Sequence, residues 1–120
     1  MDIFNNDLER LNFEDFIWVI FIGLILLNIV GDNFQKEFIK TNNKNDESKA
    51  NNIFLFVLLV TLFIYLYFFV RNFNALERAS EENKKLFFIK LLGSSFLIAG
   101  IICLIYFQFK QVDFIGTPAL

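Results

Sequence analysis

Three apolar runs, residues 16–30, 53–70 and 86–109, constrain this chain more than any other feature. Inside hydrocarbon, every backbone N–H and C=O must find a partner within the protein, so only helices and closed barrels can span a bilayer. A barrel strand alternates apolar and polar residues over about ten positions. These runs are apolar at nearly every position, and the longest is more than twice that length. The pattern therefore predicts an all-α integral membrane protein with three transmembrane helices, helices 2 and 3 forming a long antiparallel hairpin.

Composition agrees. The chain has 120 residues, enough for one compact unit, and 56% of them are hydrophobic. A soluble domain of this size buries only part of its surface and could not hide so much apolar area. The 18 Phe residues carry no separate argument, because Phe, Ile, Asn and Lys share AT-rich codons. A net charge of −2 with mixed signs along the loops argues against a nucleic-acid surface, which needs a coherent basic patch. With no His, the commonest metal ligand and acid–base group is missing, and no cofactor is expected. Cys103 is the single cysteine, so an intrachain disulfide is impossible. The acidic N-terminus and the lack of a small-residue cleavage site predict that the first run stays in the protein as an anchor.

The expected boundaries follow from caps and charges. Residues 1–13 read as an amphipathic surface helix or a frayed terminus, with Ile3, Phe4, Leu8 and Leu11 at near-helical spacing. Helix 1 is expected over 14–40, spanning at about 16–31, with Trp18 near its start in the interfacial aromatic belt. Residues 41–52 are polar and lack an apolar anchor, which predicts a mobile loop. Helix 2 is expected over 53–78, spanning at 53–71, with Arg71 snorkelling to the interface. Ser80, followed by Glu81 and Glu82, reads as an N-cap with acids in the first turn, so helix 3 is expected over 81–110, spanning at 87–108. Residues 111–120, with Gly116 and Pro118, form an irregular tail.

Few polar side chains sit at costly positions. Asn28 lies well inside the first run, and a polar residue in lipid normally faces protein or water. It is a candidate site residue, or else an interhelical hydrogen-bonding group reaching Thr61 or Ser95. Asp32 and Lys36 are spaced for an interfacial i,i+4 ion pair. On helix 3, Ser95, Ala99 and Cys103 recur every four residues, with Gly93 and Gly100 on the flank. Small side chains let another helix approach closely, either helix 1 or 2 of this chain or a second copy. The carboxylates form no site: Glu14 and Asp15 point in different directions, and Glu77, Glu81 and Glu82 crown a charged, solvated tip.

An odd number of spans puts the two termini on opposite sides. The N-terminus and the 71–85 hairpin carry Arg10, Arg71, Arg78, Lys84, Lys85 and Lys90, against five lysines on the other side. The hairpin's charges sit nearer the helix ends, which favours a cytoplasmic N-terminus and an external C-terminus.

Three stretches, Asn28-Ile29-Val30-Gly31-Asp32, the run from Tyr65 to Asn72, and Phe114-Ile115-Gly116-Thr117-Pro118-Ala119, resemble small multi-pass membrane proteins of clostridia and related low-GC Gram-positive bacteria. That resemblance implies a bacterial plasma membrane and brings no activity or functional residues with it. The expected role is that of an accessory or interaction protein acting through helix–helix contacts, with the bilayer, itself or another membrane protein as partner. The alternative is a pore-forming or holin-like oligomer. An enzyme is not expected, since nothing supplies a nucleophile, a base or a midplane binding site.

Overall fold

The computed structural model describes residues 6–110, and all three elements are helices: α1 (Asp7–Thr41), α2 (Lys44–Arg78) and α3 (Lys84–Lys110). Each is long and apolar enough to cross a membrane. Large apolar side chains such as Val19, Phe63 and Phe96 are exposed along them, which suits lipid and would be untenable in water. The molecule extends 60 Å along its longest axis, beyond the roughly 40–45 Å of a whole bilayer. The helix ends therefore project from the membrane.

The helices form a curved layer with α2 in the middle. α1 packs on α2 and α2 on α3, whereas among the described residues no Cα of α1 comes within 8 Å of one in α3. The contact faces repeat every seven residues. On α1, Ile17, Leu24 and Gly31 are buried, and on α3, Ser94, Ile101 and Gln108. A seven-residue repeat keeps one seam against a neighbour when helices cross at a shallow left-handed angle. Ile17 and Leu24 meet Val57 and Ile64 of α2 in the apolar core of the α1–α2 seam.

Several boundaries differ from those the sequence predicts. α1 begins at Asp7 rather than 14, because the Asn6 side chain caps it, accepting from the Glu9 N–H at 2.8 Å with Asp7 and Glu9 in the first turn. Residues 1–5 of the expected amphipathic segment lie outside the described residues, as does the 111–120 tail. The expected 41–52 loop is almost entirely helical. α1 and α2 are joined only by Asn42, in the left-handed region at φ 55°, and Asn43, whose side chain accepts from the Asn45 N–H. Asn tolerates that backbone conformation better than most residues. Packing then extends α2 past the membrane: Ala50 is fully buried, and the Lys44 and Lys49 ammonium groups lie over the Phe38 and Phe34 rings at 5.7 and 5.3 Å. α3 begins three residues late. Glu81 to Asn83 form a turn in which the Ser80 carbonyl accepts from Asn83 and Lys84, and Lys84 pairs with Glu81 at 3.3 Å.

The closest helix approach is at Gly31 of α1. A Cβ there would lie 2.5 Å from Cε1 of Phe54, a fully buried ring that has nowhere to go. At Gly23, on the same helix, a Cβ meets nothing within 4 Å. Replacing Gly by Ala raises helix propensity by about 1 kcal/mol, whereas overpacking a tight contact costs about 1–3 kcal/mol. Gly31→Ala should therefore lower the thermal unfolding midpoint in detergent, followed by circular dichroism, while Gly23→Ala leaves it unchanged or raises it.

Candidate functional site

The dominant polar feature is Glu14, buried on α1 with 6% of its surface exposed. An ionised carboxylate at the membrane edge is tolerable only if donors replace its lost water, and this one has three. Arg71 of α2 reaches Oε1 at 3.1 Å, while Arg10, one turn back on α1, reaches Oε2 at 3.3 Å. Tyr67 donates its hydroxyl to Oε2 at 3.0 Å. The spacing explains the arrangement: Tyr67 and Arg71 are i and i+4 on α2, as Arg10 and Glu14 are on α1, so two stacked turns face two others.

Arg71 carries the network across the layer. Its Nε and Nη2 donate to the Asn72 side-chain oxygen at 3.2 and 3.0 Å, and the Asn72 amide donates in turn to Ser94 Oγ of α3. Its guanidinium also lies 4.7 Å from the centroid of the Phe68 ring. Trp18 stacks against Phe68 and Phe21, with centroids at 5.8 and 5.6 Å. One chain of charge-assisted and neutral hydrogen bonds thus ties α1, α2 and α3 together at this end. At the other end the Gln108 amide of α3 donates to the Asn51 side-chain oxygen of α2.

Because α1 and α3 flank α2 without meeting, a cleft opens between them. It has a volume of about 680 Å³, with Trp18 and Phe21 on one wall, Gly93 and Leu97 on the other, and Tyr65, Phe68 and Arg71 along its floor. Polar groups gather at its mouth, where Arg10, Arg71, Arg78 and Lys90 border a second, more hydrophilic hollow with Asp7. Toward the membrane centre lies a smaller cavity of about 160 Å³, lined in part by Asn28, Thr61 and Ile101. Among the described residues, no cluster of three or more His, Cys, Asp or Glu side chains could hold a metal ion.

The residues singled out in the sequence lie elsewhere or behave differently. Asn28 makes no interhelical bond through its oxygen: the Oδ1 is buried without a partner, Thr61 donates to the Val57 carbonyl, and Ser95 donates to the Leu91 carbonyl. Thr and Ser satisfy themselves one turn back within their own helices. No ion pair joins Asp32 to Lys36 among the described residues. Gly93, Ala99, Gly100 and Cys103 are exposed, and a Cβ at either glycine meets nothing. Ser95 is half-buried, and the other small residues of the ridge do not pack on helix 1 or 2. Cys103 lies nine residues from the buried Ser94, about half a turn away on the helix, so it points away from α2.

Glu14 also corrects the expectation that no carboxylate forms a site. Asp15 does point elsewhere and is exposed. Glu14, however, shares the seven-residue seam with Arg10, Ile17 and Leu24, and that spacing was the available signal. Arg71 turns inward to Glu14 instead of snorkelling outward.

The network sets a clear expectation. Glu14→Ala would leave two guanidiniums without their shared carboxylate, and breaking a buried pair costs about 3 kcal/mol or more. Tyr67→Phe removes one hydrogen bond, worth about 1 kcal/mol. Reversible unfolding in mixed micelles should rank Glu14→Ala well below Tyr67→Phe. In a double-mutant cycle, Glu14→Gln and Arg71→Gln should be less than additive.

Comparison with known proteins finds no matching family model, no matching curated protein and no matching solved structure.

Proposed function

We propose that this chain is a small accessory or interaction protein of a bacterial plasma membrane, non-enzymatic, that works through lateral helix–helix contacts in the bilayer. The observation that carries this reading is the outer face of α3. Among the described residues that helix touches only α2, and its Ala99 and Cys103 are exposed on the far side, with Gly100 exposed on the flank in open space. Between helices in lipid there is no hydrophobic driving force, so close backbone approach over small residues supplies the dispersion energy. The convergence of Arg10, Arg71, Arg78 and Lys90 at one end of the layer supports a cytoplasmic N-terminus and an external C-terminus.

A pore-forming oligomer would use the same face but also needs a polar lining. The exposed surfaces of the three helices instead carry residues such as Val19, Phe63 and Phe96.

Cys103, the single cysteine, is a built-in reporter. Mild oxidation of membranes containing the full chain should give a disulfide-linked dimer if a second copy docks on α3, and Ala99→Leu should reduce that dimer several-fold. A different partner would instead appear as a heterologous adduct on thiol-directed crosslinking, with the same sensitivity to Ala99→Leu. If neither species forms, or if both survive Ala99→Leu unchanged, the outer face of α3 is not the contact surface. Membrane potential during induced expression separates the pore reading, which requires depolarisation, from the accessory role, which leaves the potential intact.

A further inference from the structure

We propose that the cleft between α1 and α3 holds one anionic phospholipid of the surrounding bilayer, its phosphate at Lys90 and Arg71 and one acyl chain along the apolar trough below. The inference stands apart from the outer face of α3 and requires only that the chain sits in a membrane.

Lys90 carries the argument. It lies one turn inside the third apolar run, between Ile89 and Leu91, and has no ion-pair partner among the described residues. A cation at that depth requires an anion or water, and the neighbouring carboxylate is already committed. Glu14 is shared between Arg10 and Arg71, so one negative charge there faces two positive ones. The hollow at the cleft mouth is bordered by four cations, Arg10, Arg71, Arg78 and Lys90, and by Asp7 as its one acid. With Arg78 left aside, and Arg10 pairing with Asp7 at 3.7 Å as well as with Glu14, Arg10, Arg71 and Lys90 still outnumber the two carboxylates by one, so positive charge is in excess where lipid phosphates lie. Basic pockets between transmembrane helices at the headgroup level are the recognised setting for anionic lipid heads.

The apolar half fits the rest of such a molecule. The cleft and the polar hollow share Arg71, Asn72 and Lys90, so the two are continuous. Below them, Phe21, Tyr65 and Leu97 line the trough toward the cavity at Asn28 and Ile101. From Lys90 to Ile101 is eleven residues of helix, about 16 Å, a length suited to much of an acyl chain. Gly93 lines the α3 wall of the cleft, and a Cβ there would meet nothing within 4 Å. Charge complementarity at the mouth favours an anionic head over a zwitterionic one, whose own ammonium would face the same cations.

Trp18 is the single tryptophan and lines the cleft, so its fluorescence reports the occupant. The full chain would be reconstituted in phosphatidylcholine vesicles containing a small fraction of chain-brominated phosphatidylglycerol or, in parallel, chain-brominated phosphatidylcholine. Brominated phosphatidylglycerol should quench Trp18 more strongly at equal fraction. Lys90→Gln should reduce that preference roughly fivefold, the value of one interfacial cation. Lys85→Gln, an exposed charge change on the same side of the membrane, should preserve it. Gly93→Leu should lower quenching by the anionic lipid by filling the trough, and circular dichroism checks that each variant remains helical. Equal quenching by the two lipids in the unaltered chain overturns the proposal. So does an equal loss in Lys90→Gln and Lys85→Gln, which would indicate diffuse surface charge, or unchanged quenching in Gly93→Leu.

Discussion

A single carboxylate fixes how this molecule is put together. Glu14 sits where helix α1 enters the membrane, out of reach of bulk water, and is stable there only because Arg10, Tyr67 and Arg71 all donate to it. Desolvating an ion is so costly that the geometry must be met once the residue is present. Meeting it sets the rotation of α1 and its height against α2. Through Arg71 and Asn72 the same requirement reaches Ser94 and sets α3. Apolar packing alone could not do this. Lipid tails are as apolar as Leu24 or Val57, so the seams gain little from hydrophobic burial and depend on fit and polar contacts.

The layer arrangement follows from the same division of labour. α2 offers a face to each neighbour, with Val57 and Ile64 toward α1 and Asn72 toward α3, so it is satisfied on both sides. Among the described residues, α1 and α3 each have a single seam, against α2. Closing them against each other would require a further seam that neither helix carries, and would crowd Arg71 and Lys90 together. The open cleft is thus the form that results when two edge helices are pinned to one centre. Gly31 completes the design at the opposite end, where the Phe54 ring fills the space a side chain would have occupied.

Hydropathy made the fold class legible, since three long apolar runs admit few alternatives. The site was harder to read because lipid inverts the usual pattern. In a soluble bundle the apolar stripe marks the interface, whereas here Phe63 and Phe96 face outward, and Glu14, Asn72, Ser94 and Gln108 are buried. Spacing of small residues points to Ala99 and Cys103, which are exposed, whereas Gly31 and Ala50 lie in the contact. The seven-residue spacing of Ser94, Ile101 and Gln108 held the correct answer, as did Arg10, Glu14 and Ile17. The polar stretch 41–52 misled for a related reason. Its Lys44, Lys49 and Ala50 are held helical by tertiary contacts with α1 that no local propensity encodes.

The central claim is that α2 separates α1 from α3, and cysteine pairs test it directly. A disulfide needs Cα atoms closer than about 7 Å, and no described residue of α1 comes within 8 Å of α3. With Cys103 replaced by Ser, the pair Leu24→Cys and Val57→Cys in the α1–α2 core should crosslink under mild oxidation. The pair Phe21→Cys and Leu97→Cys, facing each other across the cleft, should stay reduced in the same membranes. Ready crosslinking of the second pair would contradict the layer and show a closed three-helix bundle in its place.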